Sequence, residues 1–146
     1  MNLKSLLIGG LLPTILLGLG TVLMKLSMRE GSSVANYLAQ VGAVVLAVGL
    51  LATWAGDGWV STPRAWVFAA LMGLGWATAI GAMAYAVSAL NVPVSIISPL
   101  TNSNALVALA ASAIVFSEWS DLDGPRVLAG TLLIVMGAVV VATAKG

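Results

Sequence analysis

The sequence predicts an all-α integral membrane protein, a bundle of five transmembrane helices whose N- and C-termini lie on opposite sides, and three observations predict it. Mean hydropathy is +1.08 and only 8% of the 146 residues are charged, a balance foreign to water-soluble folds. The charges punctuate four uncharged stretches, residues 5–24, 31–56, 65–117 and 127–144. A span takes about 20 apolar residues, so the first, second and fourth stretches hold one helix each and the much longer third holds two.

The first helix is placed at about residues 3–27. It is too long for a signal peptide and runs into Lys25 without a small-residue cleavage pattern, so it reads as a true span. Gly10, Thr14, Gly18, Thr21 and Lys25 recur every three or four residues and share one narrow face, which the pattern turns toward a bundle. That face serves either close helix packing or a substrate, for which Thr14 and Thr21 are candidate contacts; Pro13 is a candidate hinge. Lys25 lies about one turn before the helix end. From there it either extends its ammonium to the interface, or attracts an anionic substrate group, or pairs with Glu118 or Glu30 of another chain.

After the turn-forming run Arg29-Glu30-Gly31-Ser32-Ser33, the second helix is expected at about 34–55. Past Gly56-Asp57-Gly58, the third occupies about 64–89. Its Thr78, Gly81, Tyr85 and Ser88 share a face roughly opposite Met72, Trp76 and Met83. One of these faces is expected to meet a cavity, and the pattern does not choose between them. Trp76 sits too deep for an interfacial belt, so it is either a packing or lipid-facing residue or a wall stacked on a ligand. Trp54, Trp59, Trp66 and Trp119 all fall at helix ends or loops on the Lys4 side, as amphipathic rings do at the headgroup level.

Leu90-Asn91-Val92-Pro93 divides the long uncharged stretch, with Asn91 read as a helix cap and Pro93 in the first turn, where it loses no helical bond. The fourth helix then spans about 92–116. Ser95, Ser98 and Asn102 follow Asn91 on one face together with Pro99, which has no N–H for the Ser95 carbonyl. Polar groups and a bared carbonyl at membrane depth are tolerated where they border water or protein. Ser95, Ser98 and Asn102 are therefore candidate substrate contacts and Pro99 a candidate hinge, with a simple packing kink as the alternative. The fifth helix, about 125–144, carries Gly130 and Gly137 seven apart and almost no polar side chain, so it reads as structural.

This topology sorts the six cations evenly: Lys4, Arg64 and Arg126 on one side, Lys25, Arg29 and Lys145 on the other. Excess Lys and Arg in cytoplasmic loops normally orients a membrane protein. An even split removes that instruction, and the chain is expected to insert both ways up.

Other chemistry is excluded. The chain has no cysteine and no histidine, which leaves neither thiolate chemistry nor the usual zinc or haem ligands, and no cofactor is expected. No nucleophile is paired with a base, so no catalytic residues are assigned and the chain is not expected to be an enzyme. A net charge of +1 without a basic cluster argues against nucleic acid as a partner.

The stretches Gly75-Trp76 to Tyr85-Ala86, Val92-Pro93-Val94-Ser95-Ile96-Ile97-Ser98-Pro99-Leu100, Ser117-Glu118 and Gly130-Thr131-Leu132-Leu133-Ile134-Val135-Met136-Gly137 resemble the EamA domain of the drug/metabolite transporter superfamily. The resemblance covers residues 64–144 well and the first helix more loosely, although Lys25 stands where many members have a lysine. Its motifs are short and mostly apolar. It implies that residues 1–146 form a single EamA-like transmembrane domain, half of a ten-helix transporter. Such transporters join two five-helix domains of opposite orientation around a central site. The missing half would come from a second, inverted copy, or from a separately encoded partner with the opposite charge bias.

One departure bears on mechanism. The four-helix small multidrug resistance proteins of that superfamily carry a glutamate in the middle of their first helix, whereas here Gly10 to Thr21 contains no acid. No predicted span contains Asp or Glu, which disfavours obligatory proton antiport of a cationic drug. The expectation is a multi-pass protein of the cell membrane that moves a small polar or zwitterionic metabolite by alternating access as an antiparallel homodimer. The contacts assigned are Thr14, Thr21, Lys25, Trp76, Tyr85, Ser95, Ser98 and Asn102. The alternative is a non-transporting subunit of a membrane assembly.

Overall fold

A computed structural model describes residues 3–56, 58–116 and 123–143. Within them the chain is helical, without strands. Five helices are long and apolar enough to cross a membrane, the pattern of a multi-pass membrane protein: α1, Leu3–Arg29; α2, Val34–Ala55; α3, Pro63–Ser88; α4, Val94–Val115; and α5, Gly124–Thr143. Asp57, Ser117, Glu118, Trp119, Asp121, Leu122 and Lys145, which carried part of the sequence reading, lie outside the described residues.

The chain divides into two compact units, Met1–Asn91 and Val92–Gly146. In the first, α1, α2 and α3 pack on one another. Met24 of α1 and Ala84 and Val87 of α3 are its buried apolar side chains. At Gly81, α3 comes so near α2 that an added Cβ would stand 3.1 Å from Leu38 Cδ1. The glycine leaves room there for the end of the Leu38 side chain.

The packed face of α1 is only partly the predicted one. Its least exposed positions are Gly10, Pro13, Gly20, Thr21, Met24, Ser27 and Met28, a stripe that keeps Gly10 and Thr21 but is turned by roughly 100° from the line through Thr14, Gly18 and Lys25. Bulk decides this, because Met24 fills space that glycine and threonine cannot. On α3 the packed stripe runs through Ala77, Ile80, Gly81, Ala84 and Val87. It passes between the two faces that sequence had opposed, leaving Thr78 and Tyr85 exposed on one flank and Trp76 and Met83 half-buried on the other.

Helix ends follow local chemistry. The Ser32 N–H donates to the Ser27 carbonyl and the Gly31 N–H to that of Met28, while Gly31 takes φ +98°. This is a Schellman ending, in which a left-handed residue satisfies the last carbonyls. The Ser27 hydroxyl donates to Ser32 Oγ across the same turn, and Ser33 then caps α2 by accepting the Asn36 N–H. Gly31→Ala should lower stability by about 1 kcal/mol, because a Cβ disfavours that backbone region; a thermal melt unchanged by the substitution would exclude this account. Thr62 caps α3 in the same way, accepting the Ala65 N–H ahead of Pro63.

Two helices depart from α geometry near prolines. In α1 the segment Leu7–Leu11 is a π-turn, with the Leu12 N–H reaching back to the Leu7 carbonyl. The wider turn lies directly ahead of Pro13, whose ring crowds the carbonyl four residues earlier. In α4 the helix continues through Pro99 and is interrupted at Ser103, between Val94–Asn102 and Asn104–Val115. There the Ser103 N–H donates to the Leu100 carbonyl and the Leu106 N–H to that of Ser103. The Thr101 hydroxyl donates to the Ser98 carbonyl just ahead of this point, the run Thr101-Asn102-Ser103-Asn104 is poor in helix formers, and with the proline bond already lost the break settles one turn later than expected.

The start of α4 also differs from the sequence reading. Asn91 does not cap it: Pro93 is the N-cap residue, its carbonyl accepting the Ile96 and Ile97 N–H groups, and Asn91 sits at φ +53°. Within the second unit, Val94–Asn102 packs on α5. Ile97, Thr131 and Ala138 are buried there, and Gly130 and Gly137 lie beside this seam with open space around them. Asp123 begins α5 by accepting the Arg126 N–H, and its exposed ion pair with that side chain, at 3.0 Å, contributes little.

Candidate functional site

At the C-terminal ends of α1 and α3 a cleft of about 380 Å3 is lined by Lys25, Met28, Arg29, Val87, Ser88 and Asn91. Lys25 and Arg29 are four apart on α1, so they stand one above the other on one side of the helix. Met28 and Val87 form the apolar part of the wall. The Ser88 hydroxyl donates to the Ala84 carbonyl at 2.7 Å, so it presents an oxygen to the cleft and not a proton. Asn91 closes the α3 end in the left-handed region, which among the described non-glycine residues it alone occupies. Asn tolerates that backbone better than most residues.

The cleft is therefore supplied with cationic and amide donors. No acidic side chain lines it. Among the described residues neither Lys25 nor Arg29 forms an ion pair, the Asp123–Arg126 pair lying elsewhere. A more open hollow of about 410 Å3 at the opposite end of α3, beside Pro63, Arg64, Val67 and Phe68, is apolar apart from one guanidinium. With no cysteine or histidine in the chain, and no acidic trio gathered among the described residues, a metal would find few donors.

Of the side chains assigned from sequence, only Lys25 lines this cleft. Thr14 and Thr21 stand higher on α1, and their hydroxyls donate to the Gly10 and Gly18 carbonyls at 2.9 and 2.8 Å. They can offer lone pairs to a solute, not protons. Trp76 is half-buried, whereas Tyr85 is 55% exposed. Ser95, Ser98 and Asn102 belong to the second unit, where Ser98 is half-buried and the other two are exposed. None of these three donates a side-chain hydrogen bond among the described residues, although the Ser98 carbonyl accepts from the Thr101 hydroxyl at 3.0 Å.

Sequence reasoning used Arg29 as a topology and turn marker, Ser88 as part of the α3 face, and Asn91 as a cap and the first member of the α4 polar face. The i, i+4 spacing of the two cations was a usable signal. The approach of Ser88 and Asn91 to α1 is tertiary and had none.

Comparison of the chain with protein-family models, with curated proteins and with solved structures returns no match.

Proposed function

We propose that the protein is a secondary membrane transporter of a small polar or zwitterionic metabolite, working by alternating access as an antiparallel homodimer. The observation that carries this reading is the even division of six cations between the two ends of five apolar helices. Without a charge bias, both orientations are populated, and two inverted copies supply the two halves that such transporters need. The resemblance of residues 64–144 to the EamA domain supports the same reading. In an inverted homodimer the two access states are equal in energy, because the copies exchange roles, and a solute gradient suffices to drive flux. The π-turn ahead of Pro13 and the Ser103 break after Pro99 are the flexing points.

Val60 and Ala89 flank opposite ends of α3, and the chain has no cysteine of its own. Val60→Cys and Ala89→Cys, each alone in intact cells, should react with impermeant reagent from both sides. One-sided reaction at both positions excludes the inverted pair.

The hydroxyl pattern favours a second reading, a non-transporting assembly subunit. Thr14, Thr21, Thr78 and Ser88 all donate to carbonyls of their own helices, so polar residues alone do not demand a watered cavity. Liposome flux separates the two. Transport that is lost in Ser98→Leu and Asn102→Leu supports the first reading; no flux of amino acids, amines, sugars or organic acids from folded protein supports the second.

A further inference from the structure

We infer that the cleft between the ends of α1 and α3 binds an oxyanion, a phosphate or carboxylate group carried by a solute or by a lipid head group. The inference stands on the geometry of one unit and holds whether or not the chain transports. If the anion belongs to a solute, it also supplies the transport reading with a substrate class.

Three observations converge. Lys25 and Arg29 face the same cleft one turn apart, and like charges at that spacing repel each other. With no acidic side chain in the wall and no ion pair to either among the described residues, an anion between them relieves the repulsion. Arg29 presents a planar fork suited to two oxygens of one group, and Lys25 a point charge. A cation in the last turn is favoured by the helix dipole alone, which accounts for Arg29. Lys25 stands about 6 Å deeper along the helix, where that explanation fades.

The second observation is Asn91, a non-glycine residue held at φ +53° at the edge of the cleft. That backbone is one Asn tolerates at a helix end, and it sets a residue with a side-chain amide donor in the lining shared with the two cations. The third is size. The cleft, at about 380 Å3, lies within the range of small-ligand sites, roughly 300–1,000 Å3. Met28 and Val87 give it an apolar wall for the part of the ligand that carries no charge. Basic pockets between spanning helices also take lipid head groups, so both sources fit one chemistry.

The test uses the full-length protein in neutral detergent and in two-component nanodiscs. Inorganic phosphate is titrated calorimetrically, and retention of phosphatidylglycerol over phosphatidylcholine is measured by native mass spectrometry. Wild type should bind phosphate, prefer the anionic lipid, or both. The Lys25→Gln/Arg29→Gln variant should lose at least about tenfold in affinity, since charge-assisted hydrogen bonds disappear. Asn91→Gly, which keeps the left-handed backbone and so the fold, should lose about fivefold. Arg64→Gln, altering a cation at the other end of α3, should change neither arm.

Loss confined to the phosphate arm assigns a solute, and loss confined to the lipid arm assigns a head group; either supports the oxyanion site. Equal binding by wild type and Asn91→Gly in both arms overturns it, as does a loss in Arg64→Gln as large as in the double variant. Oxyanion binding without flux of any anionic solute would remove the transport reading and leave the cleft. Flux that survives while neither arm detects binding would do the reverse.

Discussion

Two arginines placed at Val60 and Ser61 should convert two-sided labelling at Ala89→Cys into one-sided labelling and abolish transport. Both positions are exposed in the connection between α2 and α3, Val60 at 84%, so the substitutions touch no packed surface. They change the division of cations from three against three to five against three. Topology responds to such differences in short loops near the spans, and the Val60 side should then face the cytoplasm in nearly every molecule. A population facing one way has no inverted partner. The complementary variant, Glu30→Arg with Ala35→Arg, loads the other side and should be equally inactive alone. Co-expression of the two should restore flux, because each supplies the orientation that the other lacks. If either variant transports as well by itself as wild type does, the functional unit is not an inverted pair.

Gly81→Leu should destabilise the protein by about 1–3 kcal/mol, the usual consequence of forcing extra carbons into a packed contact. A Cβ alone would stand 3.1 Å from Leu38 Cδ1, and the remaining atoms of a leucine press further on that side chain, which must change rotamer or shift with α2. Gly130→Leu is the matched control: nothing lies within 4 Å of a Cβ there, and the same change should leave unfolding of the isolated chain nearly unaltered. Reversible denaturation in mixed micelles measures both. Equal losses at the two glycines would mean that helix propensity, not the α2–α3 approach, sets the effect.

What sequence made legible was the set of spans, because charges and turn residues mark where apolar helices stop. The ranges read from that punctuation, about 34–55 and 64–89 for instance, lie within a residue of Val34–Ala55 and Pro63–Ser88. Faces were harder to read. Small and polar residues on α1 suggested a packed side through Thr14 and Lys25, yet the burial of Met24 sets the contact elsewhere. In an apolar medium hydrophobicity no longer tells inside from outside; Leu17, at 64% exposed, and buried Met24 look alike in sequence and differ only in what α2 and α3 place beside them. The same limit hid the cleft. Lys25 stood out as a cation aligned with the small-residue face near the end of α1, but its neighbours Ser88 and Asn91 arrive from α3, and only the packed structure brings them there. Asn91 was legible as a helix boundary and not as a left-handed one, since a capping residue and an αL residue draw on the same amide chemistry.

The inward-turned hydroxyls have a consequence for biogenesis. Thr14, Thr53, Thr78, Thr131 and Thr143 each close a ring onto a carbonyl of their own helix, so no span must wait for a neighbour before its threonine protons are quenched. A newly made helix whose polar side chains are threonines can leave the insertion machinery and rest in hydrocarbon with those hydroxyls already bonded. On the inverted-pair reading proposed above, threonines quenched in this way leave a chain free to be released in either sense and to diffuse singly before pairing.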